Sequence, residues 1–281
     1  MGCFRKSRKG LSHLINKAKL EKLYAKYNRR EYVHPDPLEV LYRYDDISDR
    51  EIVGMLASSL AYGRVAQIIK SVASVLDKMP SPSVFLKRTS LKTLRQAFKG
   101  FKHRFTTGDD IAVMLYRVKC AIEEYGSLEN CFIKGLNIDD KTTLPALSKF
   151  VNKLTSYACN EENHLLPCPA DGSACKRLNL FLRWMVRRDE VDPGGWYNVP
   201  ASKLVVPLDI HMHRICLGMG LTDRKQPDLR TACEITSSFR GIAPDDPVRY
   251  DFCLTRLGIH KVWGGGDILA EYAASEVKRH A

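Results

Sequence analysis

A lysine and an aspartate, each at a helix start, are the residues with the most chemistry to offer. The lysine lies in Gly172-Ser173-Ala174-Cys175-Lys176-Arg177-Leu178-Asn179. Ser173 has the type and place of an N-cap, which puts Lys176 in the first helical turn. That turn favours anions, so the charged amine is disfavoured there, and partial burial adds to the effect. A neutral amine is what an imine-forming nucleophile needs. The alternative is a surface lysine with its stem on the helix and its head in water. The aspartate lies in Pro207-Leu208-Asp209-Ile210-His211-Met212-His213-Arg214-Ile215. Asp209 is an ordinary N-cap type. Beside a lysine, its carboxylate can also shuttle protons or stabilise a developing cation. A third reading takes Asp209, His211 and His213 as the metal ligands of a hydrolase. In a helix, however, His211 points away from the other two.

These residues need helices to hold them, and the apolar spacing is helical almost throughout. Ser48 and Glu51 read as a capping box before a helix over 49–61. After a Tyr62-Gly63-Arg64 tip, a second stripe runs over 64–78. Pro80, Ser81 and Pro82 break the pattern. Further helices are expected from Asp109 or Asp110 to Gly126, over Leu128–Ile133, over 144–158, and from Ser173 to Arg188. The next span 210–217, 228–239 and 248–257, the last capped by Asp246-Pro247. Residues 160–172 and 189–202 read as loops. The expected class is all-α. The chain divides into a basic N-terminal arm with the first helix (1–30), a single helical unit of two interleaved subdomains (31–260), and a Gly-rich hinge with a short terminal helix (261–281).

The 281 residues carry 44 Lys plus Arg against 32 Asp plus Glu, a net charge of +12. A polyanion is the partner such a balance suggests. Residues 1–30 hold ten bases and one acid, so most of the excess sits in the arm. The nine cysteines form no CxxC pair, and no signal peptide is recognisable, which points to a reducing cytoplasm. The longest apolar runs are far short of the roughly 20 residues that span a bilayer. There is no Walker A loop, GxGxxG, HExxH or GxSxG, and no closely spaced set of four cysteines. No cofactor is expected.

The run Pro207–Ile215 resembles a segment of the helix-hairpin-helix DNA glycosylases that reads [PV]-[VLI]-D-x-H-x-x-R-[IV]. Gly172-x-x-x-Lys176 resembles the end of that superfamily's hairpin and its lysine. The start at Asp36-Pro37-Leu38-Glu39-Val40 and the helices around Tyr62-Gly63-Arg64 resemble its N-terminal portion. The string Lys176-Arg177-Leu178-Asn179-Leu180-Phe181-Leu182-Arg183-Trp184-Met185-Val186-Arg187 is similar to one in a bacterial glycosylase-like family. The match spans about residues 20–260.

The resemblance implies an all-α fold of two helical subdomains with the active site in the cleft between them. It implies base-excision repair of double-stranded DNA, with a damaged base flipped out and its glycosidic bond broken. Lys176 would be the Schiff-base nucleophile of a glycosylase and AP lyase, and Asp209 its acid/base partner. An oxidised purine such as 8-oxoguanine would be the substrate, and the protein a monomer at the cytoplasmic nucleoid. Gly172, Ser173 and His211 would touch phosphate, while Gly63 and Arg64 would fill the gap left by the base. Trp184 or Trp196 would stack on that base, although Trp184 also suits a core. The hairpin departs from its usual L-P-G-x-G-x-K. Ala174 replaces a glycine, Pro169 supplies no N–H, and Asp171 repels phosphate. The alternative function is a DNA-binding module that keeps the scaffold without the chemistry.

Overall fold

Apolar residues three and four apart recur along the chain, and the fold is all-α with one two-stranded hairpin. The structure, a computed structural model, describes residues 17–157 and 163–262. The arm before residue 17 and the expected hinge and helix from residue 263 onward lie outside the described residues. The helices are α1 (Lys17–Tyr27), α2 (Ile47–Ser59), α3 (Val65–Leu76), α4 (Pro82–Arg88), α5 (Leu91–Ala97) and α6 (Gly108–Tyr125). They continue with α7 (Leu128–Ile133), α8 (Leu144–Ser156), α9 (Lys176–Val186), α10 (Ile210–Gly218), α11 (Leu229–Arg240) and α12 (Asp251–Val262). Strands β1 (Lys102–His103) and β2 (Thr106–Thr107) pair antiparallel between α5 and α6. Among the described residues, no helix is long and apolar enough to cross a membrane.

The buried apolar side chains form one continuous core from Leu20 to Leu254. Helix α2 lies at its centre and packs on α9, α3, α4 and α6. Helix α12 holds α1 and α10. Leu20, Leu23 and Tyr27 of α1 are buried, and the Glu21 carboxylate accepts from Arg249 and Tyr250. The described part of the basic N-terminal segment is therefore a docked helix.

Several caps differ from the sequence expectation. Asp46, not Ser48, caps α2, accepting from the N–H groups of Ser48 and Asp49. Thr107 caps α6 in a capping box with Asp110. Asp246 takes Arg187 instead of capping α12, which begins at Asp251. Pro82 does not end a helix but begins α4, where its missing N–H costs nothing.

Glu51 lies within α2, almost wholly buried. Its Oε1 accepts from the Glu129 N–H at 2.9 Å and the Trp196 indole at 2.6 Å, and its Oε2 from the Leu128 N–H at 3.0 Å. Three donors from two distant segments thus converge on one carboxylate. Glu51→Gln puts an NH2 against one of those donors. We expect a loss of about 1–3 kcal/mol in urea unfolding, the cost of a buried donor without an acceptor. An unchanged midpoint would contradict this role.

Trp184 and Trp196 are core residues, which corrects their expected place at a base pocket. Both are nearly inaccessible, and neither lines the cleft described below. Trp184 shares a helix with Lys176 but sits eight residues on, about 12 Å along the axis. Trp196 packs on Phe132 and Phe181. Its loop is pinned to the end of α9, with Gly194 N–H donating to Trp184 O and Trp196 N–H to Met185 O. The 189–202 loop is therefore packed on the core.

Candidate active site

Helix α9 starts abruptly. Pro169–Asp171 make a single 3-10 turn, and Gly172 follows at φ 80°. Cys175 then takes the N-cap place at φ 46°, a left-handed conformation uncommon for a residue with a Cβ. Its side chain is buried, with Sγ against Pro167 O at 3.5 Å. Ser173 is not the N-cap. Its Oγ accepts from the Cys175 N–H instead, so Lys176 is the first residue of the helix rather than the third.

Helix α10 starts at Ile210 with Asp209 as its N-cap, as the sequence indicates. The two oxygens of Asp209 divide the work. Oδ1 accepts from the Met212 N–H at 2.9 Å, and Oδ2 faces Lys176 Nζ at 3.2 Å. The cap fixes the carboxylate's direction, and that direction is toward the lysine. Both side chains are about one-third exposed, 32% for Lys176 and 30% for Asp209, so a ligand can reach them. The positive ends of two helices meet at this point.

The pair opens into a cleft of about 740 Å³. Gly172, Ser173 and Arg177 line one wall, Leu208 and His211 another, and Tyr62 with Gly63 a third. His211 is exposed one residue into α10 from its first position. Arg64 caps α3, is exposed, and lies outside the lining. Gly63 adopts φ 97°, and a Cβ there would come within 3.0 Å of Arg104 Cδ. Arg177 was not singled out from the sequence as a site residue. Its guanidinium donates to Ser59 O at 2.9 Å and His164 O at 2.5 Å, and lies over the Tyr62 ring at 5.3 Å. It clamps the Tyr62 wall to α9, a link that only the folded chain displays.

The metal reading does not survive the geometry. His213 is buried, with Nε2 at 2.8 Å from Arg224 O, so it does not join Asp209 and His211. No group of three His, Cys, Asp or Glu able to hold a metal exists among the described residues.

Burial pushes the Asp209 carboxyl up, but Lys176, the Met212 N–H and His211 outweigh it and hold it below its ordinary 3.8. Asp209 is thus an anion at neutral pH. The group is depressed on folding, so its contribution to stability is complete above the unfolded value and is lost as pH falls through the lowered one. Asp209→Asn keeps a capping oxygen and removes the charge. Wild type and Asp209→Asn should differ by about 1 kcal/mol or less at neutral pH, as expected for a partly exposed pair. Their melting curves should converge as pH falls below 3.8. A gap that widens on acidification would contradict the ion pair.

Neither a curated protein nor a solved structure matches the chain. Residues 36–260, which span the cleft and both of its helix starts, match the profile of a family described as a protein of unknown function, DUF2400, and the chain belongs to that family.

Proposed function

We propose that this protein is a base-excision DNA glycosylase with AP lyase activity. The observation that carries the reading is the contact between Lys176 Nζ and Asp209 Oδ2 in an open cleft. An amine nucleophile and a carboxylate held ionised are the two groups such chemistry requires. The cleft is in the size range of small-molecule sites, enough for an extruded nucleoside.

The steps follow from the two groups. The Lys176 ammonium passes a proton to Asp209 Oδ2, 3.2 Å away, and the freed amine attacks C1′ of the sugar. The glycosidic bond breaks, its electron pair leaves with the base, and the base takes up the proton that Asp209 had accepted, which restores the carboxylate. The anionic Asp209 stabilises the positive charge that develops on the sugar. Nζ then forms an imine with C1′ as the ring opens. Loss of a C2′ proton expels the 3′ phosphate and nicks the strand. Lys176 and Asp209 act directly, while Gly172, Ser173 and His211 bind the flanking backbone. Oxidised purines such as 8-oxoguanine are the substrate class that the resemblance to lysine-bearing glycosylases suggests, with the protein acting as a monomer on chromosomal DNA.

The test is cleavage of an end-labelled duplex holding one 8-oxoguanine, with and without chelator. Nicking at the lesion that chelator leaves unchanged supports the reading. Binding without nicking of any lesion or abasic duplex would favour the scaffold that binds DNA without chemistry.

A further inference from the structure

Strands β1 and β2 are joined by the two-residue turn Arg104-Phe105, with Lys102 opposite Thr107 and His103 opposite Thr106. Such turns call for φ > 0 at their first position and favour glycine or asparagine there. Here Arg104 takes that position at φ 54°. Phe105 follows it with 62% of its surface exposed, unusual for a large aromatic side chain. Neither residue suits the turn on stability grounds. A local cost of this kind is retained when the surroundings enforce it.

The surroundings do enforce it. His103 is buried, with Nδ1 at 2.9 Å from Ser71 Oγ and Nε2 at 3.1 Å from Tyr62 O. The Tyr62 hydroxyl donates to His103 O and shares a 2.5 Å hydrogen bond with Thr106 Oγ1. Thr106 Oγ1 also meets His164 Nε2 at 2.8 Å. The hairpin is thus clamped at both strands, and its tip is held in one place.

Phe105 stacks on Tyr62 with ring centroids 5.0 Å apart and planes 24° apart, and His164 tilts against it. Tyr62 in turn lies under the Arg177 guanidinium. A row of flat groups therefore runs from the cleft wall out to its rim, ending in an open aromatic surface. Lys102 and Arg104, its neighbours in the hairpin, are exposed beside it. An aromatic surface held rigid among cations matches a flat ring carried on a polyanion.

We infer that Phe105 is a stacking platform for an unpaired base of the DNA, next to the nucleotide whose sugar reaches Lys176. This rests on the DNA reading above and adds a substrate class to it: DNA with an unpaired base at the rim (a bulge, a gap or a single strand), preferred over intact duplex. Stacking on Phe105 does not depend on the identity of the base, because every base has a flat face.

The experiment uses the full chain and three labelled probes: an intact duplex, the same duplex with a one-nucleotide bulge, and oligothymidylate. Wild type should bind the bulged duplex and the single strand more tightly than the intact duplex. Phe105→Ala should lose about tenfold on those two probes and little on the intact duplex, with a melting temperature only slightly lowered, because the mostly exposed ring gives up its contacts with Tyr62 and His164 alone. Phe105→Trp should keep the affinity, and its added fluorescence should be quenched by the bulged probe. If wild type binds duplex but Phe105→Ala binds all three probes as wild type does, the platform is wrong and the DNA reading stands. If wild type binds none of them, the DNA reading falls and the platform falls with it.

Discussion

Lys176→Ala should abolish lesion-dependent nicking, by about a thousandfold or more, while leaving the fold in place. The magnitude follows from removing the nucleophile itself, since covalent catalysis has no substitute for it at C1′. The intact fold follows from position. Lys176 is the first residue of α9, and its charged end meets one carboxylate and solvent. Lys176→Arg is the informative companion. It restores a positive charge beside Asp209, yet a guanidinium cannot give up its proton to become a nucleophile. If the lysine served only as a charge for phosphate, Lys176→Arg would recover most of the activity. The imine chemistry requires that it recover none. Nicking assays on both variants, with thermal melts as a fold check, separate the two roles.

Arg183→Met should cost about 3–5 kcal/mol of stability, the largest expected loss away from the cleft. Arg183 lies in the last turn of α9 and Arg187 is its C-cap, and both are buried. Arg183 pairs with Asp192 at 3.1 Å and with Asp251 of α12. Arg187 pairs with Asp192, with Asp189 at 2.8 Å and with Asp246 at 2.9 Å. Two arginines thus tie the end of α9 to the 189–192 loop and to α12. Methionine fills much of the volume but leaves Asp192 short of a partner and Asp251 without Arg183. A buried charge without its partner is costly. Urea unfolding of the variant should show a midpoint shift of that size. A change within about 1 kcal/mol would mean that Arg187 and relaxation suffice.

The longer helices were legible because their apolar periods run several turns. The expected helix over Leu128–Ile133 coincides with α7, and Asp209 caps α10 as read. Helices α4 and α5 were missed, since seven residues hold too little periodicity and Pro82 reads as a breaker as readily as a first residue. Ser173 was misread as a cap because Cys175 adopts a left-handed conformation that its type does not announce. Lys176 and Asp209 were each readable at a helix start, but their contact depends on how α9 and α10 pack. Residue type suits Trp196 to a pocket and Trp184 to a pocket or a core, and the core holds both. Phe105 had a faint signal, a lone phenylalanine in Lys102-His103-Arg104-Phe105-Thr106-Thr107. Its exposure follows from a clamp made by Tyr62, which lies in the connection between α2 and α3.

On the proposed mechanism, Lys176 Nζ forms a covalent imine with a sugar carbon of DNA. Borohydride reduction traps that imine as a stable amine. Purified protein would be incubated with borohydride and duplexes carrying 8-oxoguanine, uracil or an abasic site, beside Lys176→Ala and Asp209→Asn. Wild type should give a protein–DNA adduct that is absent from Lys176→Ala and reduced in Asp209→Asn, with mass spectrometry placing the link on Lys176. An adduct that survives Lys176→Ala, or no adduct on any duplex that the protein binds, would contradict it.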